Sequence, residues 1–319
     1  MFFEEKNINS VFCLHVEMKK NRILVIGGDS FIASKFIAKN KDVFDIKVIS
    51  RKETNFVYEI VLDDFFKVDK SSFKNIDVVI NFAAIVHQPK VKDDELYNRI
   101  NCELPVFLAK KAKENGVVHF IQMSTIAVYG NVVNINKETI EAPINSYGIS
   151  KLNADNALRK IASDSFVITC IRPPMVYGGG NAPGNMMRLI NFSQKKIFLP
   201  FKNINNQRDF INVHNLIDCF NSIIDNRLAG VLLPTDKHAI STKEIVELVC
   251  KHAKVKSRLV NLPSFFSVIL KWLQPTIYNK VFGSLRVECN INEEFYSPKY
   301  TVSDGISEMI VNCKKAPLA

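Results

Sequence analysis

The chain has 319 residues, of which 47% are hydrophobic and 23% charged, with a net charge of +10. That composition excludes a disordered chain, and no run is apolar for the ~20 residues that a membrane-spanning helix needs, so stable membrane insertion is excluded as well. The positive charge favours an acidic partner, whether nucleic acid, an anionic membrane or a phosphorylated small molecule; without a zinc-finger, homeodomain or basic-zipper pattern, no nucleic-acid partner is expected.

Residues 1–19 read as an N-terminal arm of acidic and polar residues without the apolar core of a signal peptide, and Met18 is a candidate natural start. Short β-branched runs then recur at 22–26, 46–49, 58–62, 77–81, 119–123, 166–171 and 231–233. They are apolar on both faces, which suits parallel strands covered by helices on each side. The segments 31–39, 96–115 and 147–163 carry apolar residues at helical spacing. Alternation of strand and helix predicts an α/β fold, a Rossmann-like doubly wound parallel sheet.

The first strand runs into Gly27, Gly28, Asp29 and Ser30, followed by Phe31, Ile32 and Ala33. A strand, a tight turn of small residues and a helix start make a cradle for a pyrophosphate, held by free N–H groups and the helix dipole. Read as G-x-x-G-x-x-G, the motif keeps only Gly27, with Ser30 and Ala33 at the later positions. An acid at the end of the second strand would hold adenosine ribose hydroxyls; Arg51 and Lys52 stand there instead and tip the cofactor from NAD towards NADP, unless they are merely solvated.

Tyr147 and Lys151 form a Y-x-x-x-K pair, one helical turn apart and on one face. A nearby ammonium is expected to lower the phenol's pKa, so that Tyr147 can take a proton from a carbinol and return it. Beyond them, 178–184 is rich in Gly and Pro and reads as a loop, with helices from Asn185 and from Ser241 to Ala253. The apolar stretch 265–273, with Trp272 and flanking lysines, either packs within a small C-terminal domain or touches a membrane. The seven cysteines have irregular spacing and no C-x-x-C; they read as free thiols of a cytoplasmic protein, and no metal-ligating pattern is present.

Seven segments in order resemble the extended short-chain dehydrogenases of the nucleotide-sugar epimerase/dehydratase family: Val25 to Gly27, Asn81 to Ala84, Asn101, Met123 to Gly130 (MSTIAVYG), Ser146 to Lys151 (SYGISK), Arg172 to Gly178 (RPPMVYG) and Arg208 to Val213 (RDFINV). They span most of 20–235. The resemblance implies a dinucleotide-binding domain over 20–178, rejoined by 208–236, and a smaller C-terminal substrate-binding domain from 179–207 and 237–319. It implies Thr125, Tyr147 and Lys151 as catalytic residues. Gly27, Ser30, Phe31, Ile32, Arg51, Asp63, Ala83, Ala84, Asn101, Pro173 and Val176, with Tyr147 and Lys151, would surround NAD or NADP. Asn185 and Arg208, with Thr125, would hold a UDP-sugar, the Arg fork matching diphosphate oxygens. His87 either contacts this substrate or faces solvent, and Tyr129 and Tyr177 line the groove or the core. A homodimer through the helices at 96–115 and 147–163 is implied in the same way.

The family's dehydratases carry Asp-Glu directly after the catalytic Thr; here Ile126 and Ala127 occupy those positions, and neither transfers a proton. The expectation is therefore chemistry at sugar C4, either epimerisation or reduction of a 4-keto sugar, in surface polysaccharide synthesis. A non-catalytic cofactor sensor of the same fold is the alternative, and the presence of both Tyr147 and Lys151 argues against it.

Overall fold

The computed structural model describes residues 20–86, 93–180, 182–195, 198–261, 269 and 271–313. Its centre is a sheet of seven parallel strands: β1 (Arg22–Ile26), β2 (Asp45–Ser50), β3 (Glu59–Val61), β4 (Val78–Asn81), β5 (His119–Met123), β7 (Val167–Ile171) and β10 (Gly230–Leu232). They lie in the order β10-β7-β5-β4-β1-β2-β3, with Ile23 of β1 level with Ile46 on one side and Val78 on the other. The doubly wound parallel sheet expected from the alternating pattern is present.

Strand period explains how each run serves two cores. Along β1, Ile23 and Val25 enter one apolar cluster while Leu24 and Ile26 enter the other. Each such side chain contributes ~1.5–3 kcal/mol on burial. The first face is covered by α1 (Phe31–Asn40) and α6 (Val213–Asn226), where Phe36 packs edge-on against Phe220 at 5.8 Å. The second is covered by α3 (Leu104–Glu114) and α4 (Ser146–Arg159) through Leu104, Leu108 and Leu158. The helices change faces between β1 and β4, so a crevice opens at the carboxyl ends of those strands, where such sheets bind ligands.

The expected helix over 96–115 departs from plan. It begins as α2 (Asp94–Asn98), passes through a π turn over Arg99–Glu103, and resumes as α3. Leu104 N–H reaches back to the Arg99 carbonyl, one residue too far for an α-helix. Pro105 is the physical cause: it has no N–H for the Asn101 carbonyl, and its ring would press on that oxygen.

The rest of the chain adds two short sheets. One pairs β6 (Asn134–Ile135) with β11 (Arg286–Val287), the other β8 (Met175–Tyr177) with β9 (Phe210–Asn212). Helices α5 (Asn185–Ser193), α7 (Thr242–Ala253) and α9 (Val302–Cys313) share a third apolar cluster with Tyr177 and Phe210. Ser241 and Glu244 form a reciprocal cap at the start of α7. Helix α8 (Pro275–Phe282) packs beside a small cluster around Leu199 and Phe201. Buried Asp236 ties these pieces together, accepting from Tyr177 Oη (2.7 Å), Asn212 N (3.0 Å) and Asn215 Nδ2 (2.7 Å).

Cys102, Cys170, Cys219, Cys250 and Cys289 are free thiols. Among the described residues, no helix is long and apolar enough to cross a membrane, and no group of His, Cys, Asp or Glu is placed to hold a metal. The N-terminal arm, His87 and most of 265–273 lie outside the described residues.

Candidate active site

A cleft of about 340 Å³ lies at the ends of β1, β2, β3 and β4, lined among others by Gly27, Ser30, Arg51, Asp63, Ala83 and Ala84. Gly27 has φ +80°, and a Cβ there would lie 2.8 Å from the Ala83 nitrogen; one on Gly28 would strike Val48 Cγ1 at 2.2 Å. Both glycines are thus required by the packing of the turn itself. Ser30 is the N-cap of α1, its hydroxyl accepting from Ala33 N at 3.4 Å. A small-residue floor, a helix N-terminus and a basic residue at the far wall fit a dinucleotide. Asp63 pairs with Lys67 at 2.9 Å, which holds its carboxyl below the usual range. Asp64 lies 3.2 Å from Arg99.

β5 runs into Ser124, which is buried, and Thr125. Thr125 caps the short turn Ile126–Tyr129, accepting from Ala127 N at 3.2 Å. Helix α4, capped by Asn145, then presents Tyr147 and Lys151. Thr125 stands beside the Tyr147 phenol, and the Tyr97 ring meets Tyr147 edge-on at 6.4 Å. The three expected catalytic residues are brought together in this arrangement.

The electrostatics differ from expectation. Burial pushes the Tyr147 phenol up to about 12, opposed by the Thr125 hydroxyl. Lys151 is 2% exposed, and its ammonium donates to the Met123 carbonyl at 2.9 Å. Burial lowers its pKa to about 8, against the pull of Asp155. Burial, more than any neighbouring charge, sets the direction of the phenol's shift.

Behind the pair lies a buried network. Asp155, one turn beyond Lys151, accepts from Ser124 Oγ (2.7 Å) and Arg172 Nε (2.9 Å). Arg172 is 1% exposed and also reaches Tyr129 Oη (2.8 Å) and Glu141 (3.0 Å).

A second cavity of about 440 Å³ lies between α5, β9, α7 and α8. Asn185, Arg188 and Arg208 give it polar character among Met175, Phe192 and Phe201. Arg208 is braced by the carbonyls of Asn279 (3.1 Å) and Gly283 (2.8 Å). The neighbouring Asp209 instead serves Arg286 (3.0 Å) and Val287 N (2.8 Å), so Arg208 is not consumed in a pair with it. Two guanidinium groups over an apolar floor suit an anionic, diphosphate-sized ligand.

Residues 23–231 match the model of the NAD dependent epimerase/dehydratase family. The chain belongs to this family. It is 31% identical over 250 residues to a UDP-glucose 4-epimerase of Vibrio cholerae, covering 74% of this chain and 76% of that protein. It is 26% identical over 253 residues to N-acetyl-alpha-D-glucosaminyl-diphospho-ditrans,octacis-undecaprenol 4-epimerase of Escherichia coli O157:H7, covering 76% of each. The fold is similar to that of UDP-glucuronic acid 4-epimerase from Bacillus cereus, solved with NAD, at TM-score 0.74 and 20% identity over 92% of this chain and 96% of that one.

Within this epimerase/dehydratase chain the remaining expected residues sort by position. The Asn101 side chain is buried and clamps Ile85, accepting from its N–H (2.8 Å) and donating to its carbonyl (3.0 Å); it holds the cleft wall from behind. Pro173 accepts from Ile126 N at 3.3 Å and fixes the turn after Thr125. Ile32 and Val176 are partly buried against the first cluster, and Phe31 packs against both the first and the third. Tyr129 and Tyr177 are core residues. Sequence reasoning assigned no role to Asp155, Arg172, Arg188 or Glu59. Asp155 could have been found from its spacing, four residues beyond Lys151 on α4. Glu59 accepts from Thr54 N at 2.9 Å and from the Ser50 and Thr54 hydroxyls, bracing the turn that carries Arg51; nothing in its local sequence announces this.

Proposed function

We propose that this chain is an NAD(P)-dependent 4-epimerase of a UDP-hexose or UDP-N-acetylhexosamine, acting in surface polysaccharide synthesis. One observation carries the reading: Thr125, Tyr147 and Lys151 assemble beside a dinucleotide-sized cleft, in a chain with a second cavity bearing Asn185 and Arg208. The similarity to named 4-epimerases supports it.

The nicotinamide supplies the hydride acceptor and donor when bound. The chain's own residues do the rest. Arg208, Arg188 and Asn185 hold the diphosphate and leave the sugar to reach Tyr147. Tyr147 Oη takes the C4 hydroxyl proton as the carbinol is oxidised and returns it to the same oxygen once the keto sugar has turned and its other face is reduced. Thr125 orients the reacting oxygen, and Lys151 keeps a positive charge behind the phenol. Ile126 and Ala127 offer no proton for eliminating water, which sets dehydration aside.

A second reading is 4-keto-sugar reduction with NADPH, favoured by Arg51 in the cleft wall. Proton NMR of UDP-glucose, UDP-galactose, UDP-GlcNAc and UDP-GalNAc with the protein, beside an NADPH assay on a UDP 4-keto-6-deoxy sugar, separates the two. A C4 epimer with no net cofactor use supports the epimerase; stoichiometric NADPH loss with the keto sugar alone overturns it in favour of the reductase. Silence in both overturns both readings.

The reading also takes 179–207 and 237–319 as the substrate-binding part, a reducing cytoplasmic setting for the free thiols, and a homodimer through the helices at 96–115 and 147–163. Exposed Ile149 and Leu96 on those helices support the pairing. A monomer mass in light scattering would reject it.

A further inference from the structure

From position 248 to position 287 the chain has seven lysines and arginines and neither aspartate nor glutamate. This stretch therefore accounts for seven of the net +10 charges. It also holds the chain's single tryptophan. Trp272 is 83% exposed and Leu273 beside it 58% exposed, with Ile269 exposed one turn before. Folding has not buried the largest apolar side chain of the protein. The basic turn and this apolar group share a foundation: Val255 and Leu259, flanking Lys256 and Arg258, meet Val281 and Phe282 of α8 in one small cluster. Lys271 lies 5.9 Å over the Tyr278 ring of α8.

Basic side chains around an exposed Trp and aliphatic residues match the interface of an anionic bilayer, where charge meets headgroups and the apolar tips enter the acyl boundary. A nucleic acid would satisfy the lysines and could stack on Trp272, but it would gain nothing from Leu273 and Ile269. We propose that Ile269, Trp272 and Leu273, with Lys271, Lys256 and Arg258, form a reversible docking surface for an anionic lipid bilayer. Docking is joined mechanically to the second cavity, because α8 supplies Val281 to its wall and Arg208 is braced by the carbonyls of Asn279 and Gly283. The proposal is independent of which C4 reaction the enzyme performs.

The single Trp makes the test direct. The full chain is titrated with vesicles of phosphatidylcholine alone and of phosphatidylcholine with about one third phosphatidylglycerol. Trp272 emission should shift to the blue with the anionic vesicles only, and the protein should co-sediment with them at low salt. Lys271→Glu should weaken co-sedimentation roughly fivefold or more, the loss of one basic contact. Leu273→Glu should abolish it while leaving the melting temperature and the turnover of a soluble UDP-sugar unchanged. No emission shift, or an equal shift with neutral vesicles, overturns the proposal. So does a shift with a single-stranded oligonucleotide that anionic vesicles fail to compete. Turnover of soluble substrate is read separately, so failure of docking and failure of the epimerase reading are distinguishable.

Discussion

Pro105 lies one helical turn beyond Asn101, and the hydrogen bond that Pro105 cannot donate is what frees the turn carrying Asn101 to reach Ile85. The π turn over Arg99–Glu103 swings this amide against the backbone next to Ala83 and Ala84. Asn101→Ala leaves Ile85 without both partners. It should cost roughly 1–3 kcal/mol in urea unfolding and raise the cofactor KM several-fold, with kcat less affected. An unchanged cofactor KM would mean that the clamp does not shape the cleft.

Tyr147→Phe removes the proton carrier and little else, since the ring keeps its packing against Tyr97. Turnover should fall by about 10²- to 10⁴-fold, while calorimetric binding of UDP changes little. A variant that keeps full turnover would remove Tyr147 from the mechanism.

Lys151 is held charged at a cost. Its folded pKa of about 8 lies below its ordinary 10.5, so between these values the unfolded chain binds the proton more tightly. The penalty is complete below about pH 8 and fades as pH rises towards 10.5. Lys151→Met should therefore stabilise the fold at pH 7, by up to roughly 3 kcal/mol, with the gain gone near pH 10.5 and activity lost throughout. Denaturant unfolding at the two pH values checks both sign and window. A Met variant that is less stable at pH 7 would contradict the argument.

Arg172→Met strands the Asp155 carboxylate inside the protein. Loss of one partner of a buried pair should cost about 3–5 kcal/mol, seen as a lower denaturation midpoint. Adding Asp155→Asn to that variant should recover part of the loss, because the charge leaves with its partner.

Arg51 is the residue through which cofactor choice can be shifted. Arg51→Asp should weaken NADPH binding tenfold or more and spare NADH, measured by fluorescence titration. Equal losses for both would place Arg51 away from the adenosine 2′ position.

The sheet was legible because each parallel strand needs apolar residues on both faces, and runs such as 22–26 and 78–81 state this directly. The pairing of Tyr147 with Lys151 was legible because an i,i+4 pair on a helix has fixed geometry, whereas Thr125 was picked out only by the family resemblance. What escaped depends on distance. Glu59 bracing Ser50 and Thr54, and Arg172 meeting Asp155 and Glu141, join residues whose proximity only the folded chain defines. The direction of the Tyr147 shift escaped too, since spacing places Lys151 on the same face but does not say how strongly burial acts on the phenol.

Gly27 illustrates a separate consequence. Its missing side chain makes room for Ala83 just beyond the neighbouring strand β4, whereas Ser30 turns its hydroxyl into a helix cap and Ala33 is buried in the core of α1's face. Tolerance at this turn is therefore one-sided: in this chain the later motif positions hold small residues with work of their own, while the first is locked by its neighbour, so the turn survives here with most of the glycine signature gone.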